Sequence, residues 1–509
     1  MKKIVFSIVL ILSSFITQGQ EKGLDKKIDE AFAPVSEFFS KTIFFEIAGY
    51  PFVILLLIAS AAFFTLYFGF PNFRYFTIAI NVVRGKYDEI EKDDSDTKDG
   101  EVSHFQALAT AVSGTVGNGN IAGVALAIAL GGPGATFWMI ICGLIGMSSK
   151  FVECTLGVKY RDVGEDGTVY GGPMYYLTKG LKERGFTFLG KFAAVFFAIF
   201  CIGGSFGGGN AAQSNQATIV LKQLLGLEST SAGAMIGLVL AILVGIIIIG
   251  GIKRIASVTE KIVPFMALLY LIACLYILSA NFTLVDDAIA LIIKEAFNPT
   301  AIGVGGFIGV LMVGFKRAAF SNEAGVGSAS IAHSAVKTKY SASEGLVALL
   351  EPFIDTVVIC TMTALVIIIF NFGGFFEYGG DGMGTVFIDG VPFEGAGITT
   401  KAFEQYIPFS DVFLTISVVL FAVSTMISWS YYGLQSWKYL FGRGKLADLT
   451  YKLIFCMFVV IGSAASMSSI WDFSDAMIFA MVFPNMIGLF FLFPVVKNEL
   501  SKYLSAIKK

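Results

Sequence analysis

The chain has 509 residues, of which 55% are hydrophobic and only 15% are charged, and its net charge is −2. A mean hydropathy of +0.76 excludes a soluble domain of this size and indicates an all-α polytopic membrane protein. No basic region that would suit nucleic acid is present. The six cysteines are scattered through apolar segments, so we expect buried thiols and neither disulfides nor metal ligands.

The N-terminus predicts an exported segment. Lys2-Lys3 precedes an apolar run over residues 4–16 and a polar exit, which is typical of a signal peptide over residues 1–20. An uncleaved anchor is the alternative. Residues 21–50 form an amphipathic, extracytoplasmic lead-in, for which a helix at the membrane surface is expected.

Hydropathy then predicts about eleven membrane spans, the first of which, residues 51–70, is an extra span ahead of the others. The remaining ten cover approximately residues 105–130, 134–156, 189–224, 232–251, 261–280, 301–315 with a continuation, 345–372, 409–435, 451–470 and 474–495.

The loops between these spans differ in charge. Lys and Arg concentrate in the connections 71–104, 157–188, 252–260, 316–344 and 436–450 and in the tail 496–509. By the positive-inside rule these segments are cytoplasmic. The N-terminus is then outside, the tail 496–509 is cytoplasmic, and the chain is expected to cross the plasma (inner) membrane of a bacterium many times.

One stretch interrupts the second span: Ser113-Gly-Thr-Val-Gly-Asn-Gly-Asn-Ile-Ala-Gly123. A helix weakened in this way is tolerated in hydrocarbon only where it is buried in protein or lines a cavity; close helix packing is the alternative. The seventh span also has many glycines, in residues 302–314. Two interrupted spans that lead halves of opposite topology, 105–280 and 301–495, predict an inverted repeat with a binding site between the halves.

Several polar groups near this break could bind a small zwitterion. Backbone amides near Gly114 suit a carboxylate. The side-chain oxygens of Asn120, Gln213 and Asn215 suit an ammonium group. Gln213 could instead only join two helices.

A second group in the ninth span could bind a sodium ion. Ser424 and Thr425 are a hydroxyl pair in an apolar run, and Trp429 lies one helical turn beyond Thr425 on the same face. Two alternatives stay open: Ser424 can bond to its own helix, and Trp429 can be part of the core.

The ionisable residues of the spans are expected near span ends. They are Glu153, Glu323, Glu351, Asp355, Asp411, Asp472 and Asp475. None is expected at mid-membrane beside the break, and Asp355, the main exception, is expected to pair with Lys316 or Arg317. Because a proton relay usually needs such a carboxylate, Na+ coupling is favoured over H+ coupling.

Six segments resemble the alanine or glycine:cation symporter family, also called sodium:alanine symporters. They are Gly117-Asn-Gly-Asn-Ile-Ala-Gly-Val-Ala-Leu-Ala-Ile-Ala-Leu-Gly-Gly-Pro-Gly134, residues 150–161, Gly171-Gly-Pro-Met-Tyr-Tyr176, residues 315–329, Phe353-Ile-Asp-Thr356 and residues 421–433. The resemblance covers roughly residues 50 to 495.

The resemblance implies a leucine-transporter-like fold with one extra span before a five-plus-five inverted repeat with broken helices. It implies Na+-coupled uptake of a small neutral amino acid (alanine, glycine or D-alanine) by alternating access. A monomer without enzymatic activity and without a cofactor is expected. H+-coupled symport and a channel are the alternatives.

The resemblance also implies the residues of the site. It places Na+ at Ser113, Gly114, Ser424 and Thr425. It places the substrate at Gly114, Asn120, Gln213, Thr425 and Trp429.

Overall fold

The computed structural model describes residues 24–91, 100–165, 167–227, 229–298 and 306–508. Within these residues the chain is mainly helical, with three two-stranded antiparallel hairpins. The signal peptide predicted over residues 1–20 lies outside this part of the chain.

The described chain begins with an amphipathic helix that packs against other helices of the protein. The elements up to the second span are α1 (Leu24–Ile43), β1 (Glu46–Ile47), β2 (Tyr50–Pro51), α2 (Phe52–Tyr67), α3 (Pro71–Arg74), α4 (Phe76–Val83) and α5 (Asp88–Glu91). Asp29 of α1 accepts a hydrogen bond from the backbone N–H of Ser466 at 2.9 Å. The rings of Phe32 and Phe473 lie 5.1 Å apart, so α1 is fastened to a helix near the C-terminus.

The second span is a broken helix. It consists of α6 (His104–Thr115), a π-helical segment (Gly119–Gly123) and α7 (Val124–Gly131), and it bends by 51°. α6 begins at a capping box in which Ser103 and Gln106 exchange side-chain to backbone hydrogen bonds. The predicted interruption of this span is therefore confirmed.

Long helices complete the first half of the chain. They are α8 (Gly134–Lys159), α11 (Thr187–Phe206), which continues through a π-helical segment (Gly207–Ala211) into α12 (Ala212–Leu225), then α13 (Ala232–Ile248) and α14 (Gly251–Ala280). Between α8 and α11 lie β3 (Asp162–Val163), β4 (Val169–Tyr170), α9 (Pro173–Tyr175), a π-helical segment (Tyr176–Gly180) and α10 (Leu181–Glu183). α15 (Phe282–Phe297) then leads to the second half.

Helices and one hairpin also make up the second half. They are α16 (Gly306–Asn322), α17 (Ala329–His333), α18 (Ser341–Val347), α19 (Leu350–Pro352), a π-helical segment (Phe353–Cys360), α20 (Thr361–Asn371), β5 (Val386–Ile388), β6 (Val391–Phe393), α21 (Ala396–Glu404), α22 (Ser410–Phe441), α23 (Lys445–Ala464), α24 (Met467–Ala480) and α25 (Val482–Ala506).

The seventh span breaks later than its glycines predict. Residues 302–305 lie outside the described part, and α16 is continuous through the other predicted glycines to Asn322. The chain instead leaves the helix at residues 323–328, where Glu323, Gly325 and Gly327 have φ of 54°, 89° and 96°. An isolated glycine keeps its helical hydrogen bonds, whereas a positive φ cannot continue a right-handed helix. The helix therefore continues into residues that were predicted to be part of the connection 316–344.

The apolar helices differ in how much of their surface the protein itself covers. In the described residues seven helices are long and apolar enough to cross a membrane, or eight with the bent pair. In the most apolar stretch of α22, 72% of residues are buried, compared with 28% in α23. α22 is therefore central, whereas α23 exposes most of its apolar side chains on the outside of the protein. The protein is a multi-pass membrane protein, and the number of eleven crossings stays a prediction.

Candidate functional site

Two side chains cap the break in the second span. The backbone N–H of Gly117 donates to Asn120 Oδ1 at 2.8 Å, and the backbone N–H of Asn118 donates to Gln213 Oε1 at 3.0 Å. Asn118 Nδ2 also donates to the carbonyl of Gln213 at 3.1 Å. Gln213 therefore joins α12 to the break, which was the alternative to a role in substrate binding. Its side chain nevertheless lies at the candidate site.

Because of this capping, the carbonyl groups of Ser113 and Gly114 lose the hydrogen bonds that an α-helix would give them. In an uninterrupted α-helix they would accept from the N–H groups of Gly117 and Asn118. They lie near the C-terminal end of α6, where the helix dipole favours a cation. Thr425 Oγ1 on α22 is buried and has no hydrogen-bond partner within the described chain, and a Cβ built on Gly117 would lie 2.4 Å from it. Thr425 therefore brings an unbonded hydroxyl oxygen to the break, next to Gly117.

Ser424 contributes differently from Thr425. The hydroxyl of Ser113 donates to the carbonyl of Ser424 at 2.8 Å, which joins α6 to α22. The hydroxyl of Ser424 donates to the carbonyl of Phe421 at 2.9 Å. The structure therefore brings Ser113 and Ser424 together, but the Ser424 hydroxyl bonds to its own helix.

A small buried cavity lies beside the break. It is narrow, and the bulky side chains Phe320, Trp429 and Ile478 form part of its wall. Four of the five predicted substrate residues line it: Gly114, Gln213, Thr425 and Trp429. The sequence analysis missed other lining residues, among them Gly208, Phe320, Ser321, Glu323 and Ile478.

Asn120, the fifth predicted substrate residue, binds a buried carboxylate. Its Nδ2 donates to Asp355 Oδ1 at 2.6 Å. Ser321 Oγ donates to Asp355 Oδ2 at 2.9 Å, and Thr356 Oγ1 donates to the same oxygen at 2.7 Å. Because Ser321 also lines the cavity, this group lies next to the candidate site.

Two expectations about charge are therefore wrong. Asp355 does not pair with Lys316 or Arg317, because both basic side chains bind Asp475, with 2.8 Å between Lys316 Nζ and Asp475 Oδ2. A carboxylate does lie beside the first break, since Asp355 contacts Asn120. The argument for Na+ from the absence of such a carboxylate does not hold.

Glu323 is a second carboxylate at the site. It is 2% exposed and lines the cavity. Trp429 Nε1 donates to its Oε1 at 2.9 Å, and Ser328 Oγ donates to its Oε2 at 2.5 Å. The signal for it was present in the sequence, since an acidic residue followed by two glycines within four positions is typical of a turn and not of a helix.

Asn215, the remaining candidate for the ammonium group, serves helix packing. Its Nδ2 donates to the carbonyls of Gly462 at 3.0 Å and Ala465 at 2.9 Å. It thereby ties α12 to the end of α23, and it is not at the cavity.

The two broken helices meet at this site. A Cβ built on Gly119 in the first break would lie 3.3 Å from the hydroxyl of Ser321, at the end of α16. Broken membrane helices that enclose a small polar cavity between two halves of a chain are typical of secondary transporters. This protein is a membrane transporter and not an enzyme.

Comparison with known proteins agrees with this class. The pattern of the sodium:alanine symporter family matches residues 36–509. The chain is 39% identical over 460 residues to the sodium/alanine symporter AgcS of Methanococcus maripaludis, covering 90% of this chain and 95% of that protein. It is 33% identical over 452 residues to the "Probable sodium/glutamine symporter GlnT" of Bacillus subtilis, covering 89% and 87%. The chain therefore belongs to the sodium:alanine symporter family and is a cation-coupled amino-acid symporter.

Among solved structures, the crystal structure of MhsT in complex with L-phenylalanine is similar at a TM-score of 0.48 and 14% identity. The alignment covers 79% of this chain and 99% of that chain.

Proposed function

We propose that the protein carries a small neutral amino acid (alanine, glycine or D-alanine) into the cell together with Na+, by alternating access. The observation that supports this most directly is the site itself: a small cavity beside the break, where the carbonyls of Ser113 and Gly114 have lost their α-helical donors. The relative AgcS is named a sodium/alanine symporter. Since GlnT is named for glutamine, membership of the family alone does not select alanine; the bulky side chains Phe320, Trp429 and Ile478 in the cavity wall favour a small substrate.

Na+ is proposed to bind at the end of α6. The carbonyls of Ser113 and Gly114 and the free hydroxyl of Thr425 supply oxygens at the negative end of a helix dipole. Ser424 supports this site from its backbone. The substrate is proposed to contact Gly114, Gln213, Thr425 and Trp429, with Asn120 holding the break in shape.

H+ coupling is the second candidate, favoured by the two buried carboxylates Asp355 and Glu323. Carboxylates inside membrane proteins commonly mark proton or ion pathways. Under this alternative a proton on one of them replaces Na+.

We also propose the membrane arrangement that the loop charges predict: N-terminus outside, C-terminus cytoplasmic, in the inner membrane of a bacterium, with the protein working as a monomer. Contacts between the predicted cytoplasmic segments support it. They are Lys159 to Glu499 at 3.0 Å, Glu91 to Tyr503 at 2.8 Å, and Asp162 to Arg443 at 3.0 Å. Residues 105–280 and 301–495 are proposed as the inverted repeats that move against each other.

Uptake into liposomes that contain the purified protein tests the proposal. Labelled alanine should accumulate with an inward Na+ gradient and not when choline replaces Na+ at constant pH. Accumulation driven by an inward H+ gradient in choline would favour the second candidate. Equal entry under all conditions, without accumulation, would refute symport.

A further inference from the structure

Glu323 is held at the cavity by an unusual backbone conformation. It is the first residue after α16, and its φ of 54° lies in the left-handed region that residues other than glycine rarely adopt. Such conformations persist where the surrounding structure imposes them, and they cluster at functional sites. The hydrogen bonds from Trp429 and Ser328 then fix the direction of the carboxylate.

The charge of Glu323 has no dedicated partner among the described residues. Its two hydrogen-bond donors, an indole and a hydroxyl, are neutral. Lys150 forms its salt bridge with a different glutamate. Its Nζ binds Glu351 at 3.0 Å, with both side chains fully buried.

A buried carboxylate without a full counter-charge is unfavourable. Among the described residues that line the cavity, Glu323 is the single ionisable one. A carboxylate accepts about four hydrogen bonds, and Glu323 accepts two from side chains. A cationic group with several N–H donors that enters the cavity would balance the charge of Glu323 and would donate to the remaining lone pairs of its carboxylate.

The other wall of the cavity suits the opposite end of an amino acid. Gly119 begins the π-helical segment after the break, and the positive end of a helix favours an anion. Thr425 adds a hydroxyl without a partner among the described residues. A zwitterion would therefore place its carboxylate towards the break and its ammonium group towards Glu323.

We propose that Glu323 binds the ammonium group of the transported amino acid and determines that the substrate must carry one. The inference rests on the proposed function and adds the residue that selects α-amino acids over carboxylates of the same size. Trp429 is then a positioning residue for Glu323 as well as a wall of the cavity.

Competition by lactate, in which a hydroxyl replaces the ammonium group of alanine, tests the inference. The measured quantity is the ratio of the inhibition constant of lactate to the KM of alanine, in liposomes with the wild-type protein and with Glu323→Gln. The glutamine keeps the size and loses the charge. We expect the KM of alanine to rise roughly 10-fold or more, and the ratio to fall by about the same factor, since a hydrogen bond between charged groups is lost.

The ratio separates recognition from structure, because a general loss of folding would weaken alanine and lactate alike. Glu153→Gln is the matched control: Glu153 is also fully buried, binds Asn485 at 3.1 Å and does not line the cavity, so its ratio should equal that of the wild type. Glu323→Asp, which restores the charge, should recover part of the ratio. An unchanged ratio in Glu323→Gln, or an equal change in Glu153→Gln, would overturn the inference while leaving the proposed function in place. Wild-type liposomes that accumulate no neutral amino acid would instead refute the proposed function and this inference with it.

Discussion

Replacing Gly209 with alanine should displace Trp429 from the cavity. Gly209 lies in the π-helical segment between α11 and α12. A Cβ at this position would lie 2.1 Å from Cγ and 2.3 Å from Cβ of Trp429. Since carbon atoms in contact are about 3.5–4.0 Å apart, the indole or the helix must shift by roughly 1.5 Å.

The shift should affect transport more than stability. Alanine gains about 1 kcal/mol over glycine in a helix, while overpacking a core costs about 1–3 kcal/mol. The net loss of folding free energy is therefore about 0–2 kcal/mol. A misplacement of about 1 Å at a binding site can cost up to roughly 100-fold, and the 2.9 Å bond between Trp429 and Glu323 would be lost.

Uptake kinetics and thermal unfolding together check this prediction. We expect kcat/KM for alanine to fall roughly 10- to 100-fold, with a small decrease in Tm. Gly245→Ala is the control, because its Cβ would meet Cys456 Sγ at 3.5 Å, an ordinary contact. Wild-type kcat/KM in Gly209→Ala would show that Trp429 does not set the shape of the site.

Three further substitutions test other parts of the structure. Thr425→Val keeps the shape of the side chain and removes a hydroxyl without a partner in the described chain. The Na+ concentration for half-maximal uptake should rise roughly 10-fold, while Tm should not change. An unchanged Na+ response would exclude Thr425 as a ligand of Na+. Asp355→Asn removes the carboxylate that binds Asn120. If Na+ is the coupling ion, uptake should fall, but its dependence on pH should stay that of the wild type. If the wild type responds to pH and the variant does not, the H+ alternative is favoured. Asp29→Ala releases α1 from Ser466; the free energy of unfolding should fall by about 1–2 kcal/mol with the KM unchanged, and an unaltered Tm would mean that this contact does not stabilise the fold.

Local chemistry in the sequence predicted several elements correctly. The Asp-Gly pair at residues 389–390 forms the turn between β5 and β6, with φ of 52° at Asp389 and 78° at Gly390, and this pair is typical of a two-residue hairpin. The break near Ser113 was predictable because glycine and asparagine are concentrated over few residues. Thr425 and Trp429 share a cavity because a helix places positions four apart on one face.

Contacts between distant parts of the chain were not predictable in this way. Asn120 and Asp355 are 235 positions apart, and periodicity does not indicate which helices will touch. Glu323 looked like a residue beyond the end of a span because the apolar run predicted over residues 301–315 stops before it. Only the fold shows that the segment returns into the protein and directs this carboxylate into the cavity.

Coupled flux is the most direct test of the central claim. Liposomes that contain the protein, clamped at constant pH and membrane potential, would be given radioactive sodium with and without alanine. Alanine should stimulate sodium entry in a fixed ratio to its own entry, and Thr425→Val should weaken both. Alanine that enters without any sodium flux would contradict the account.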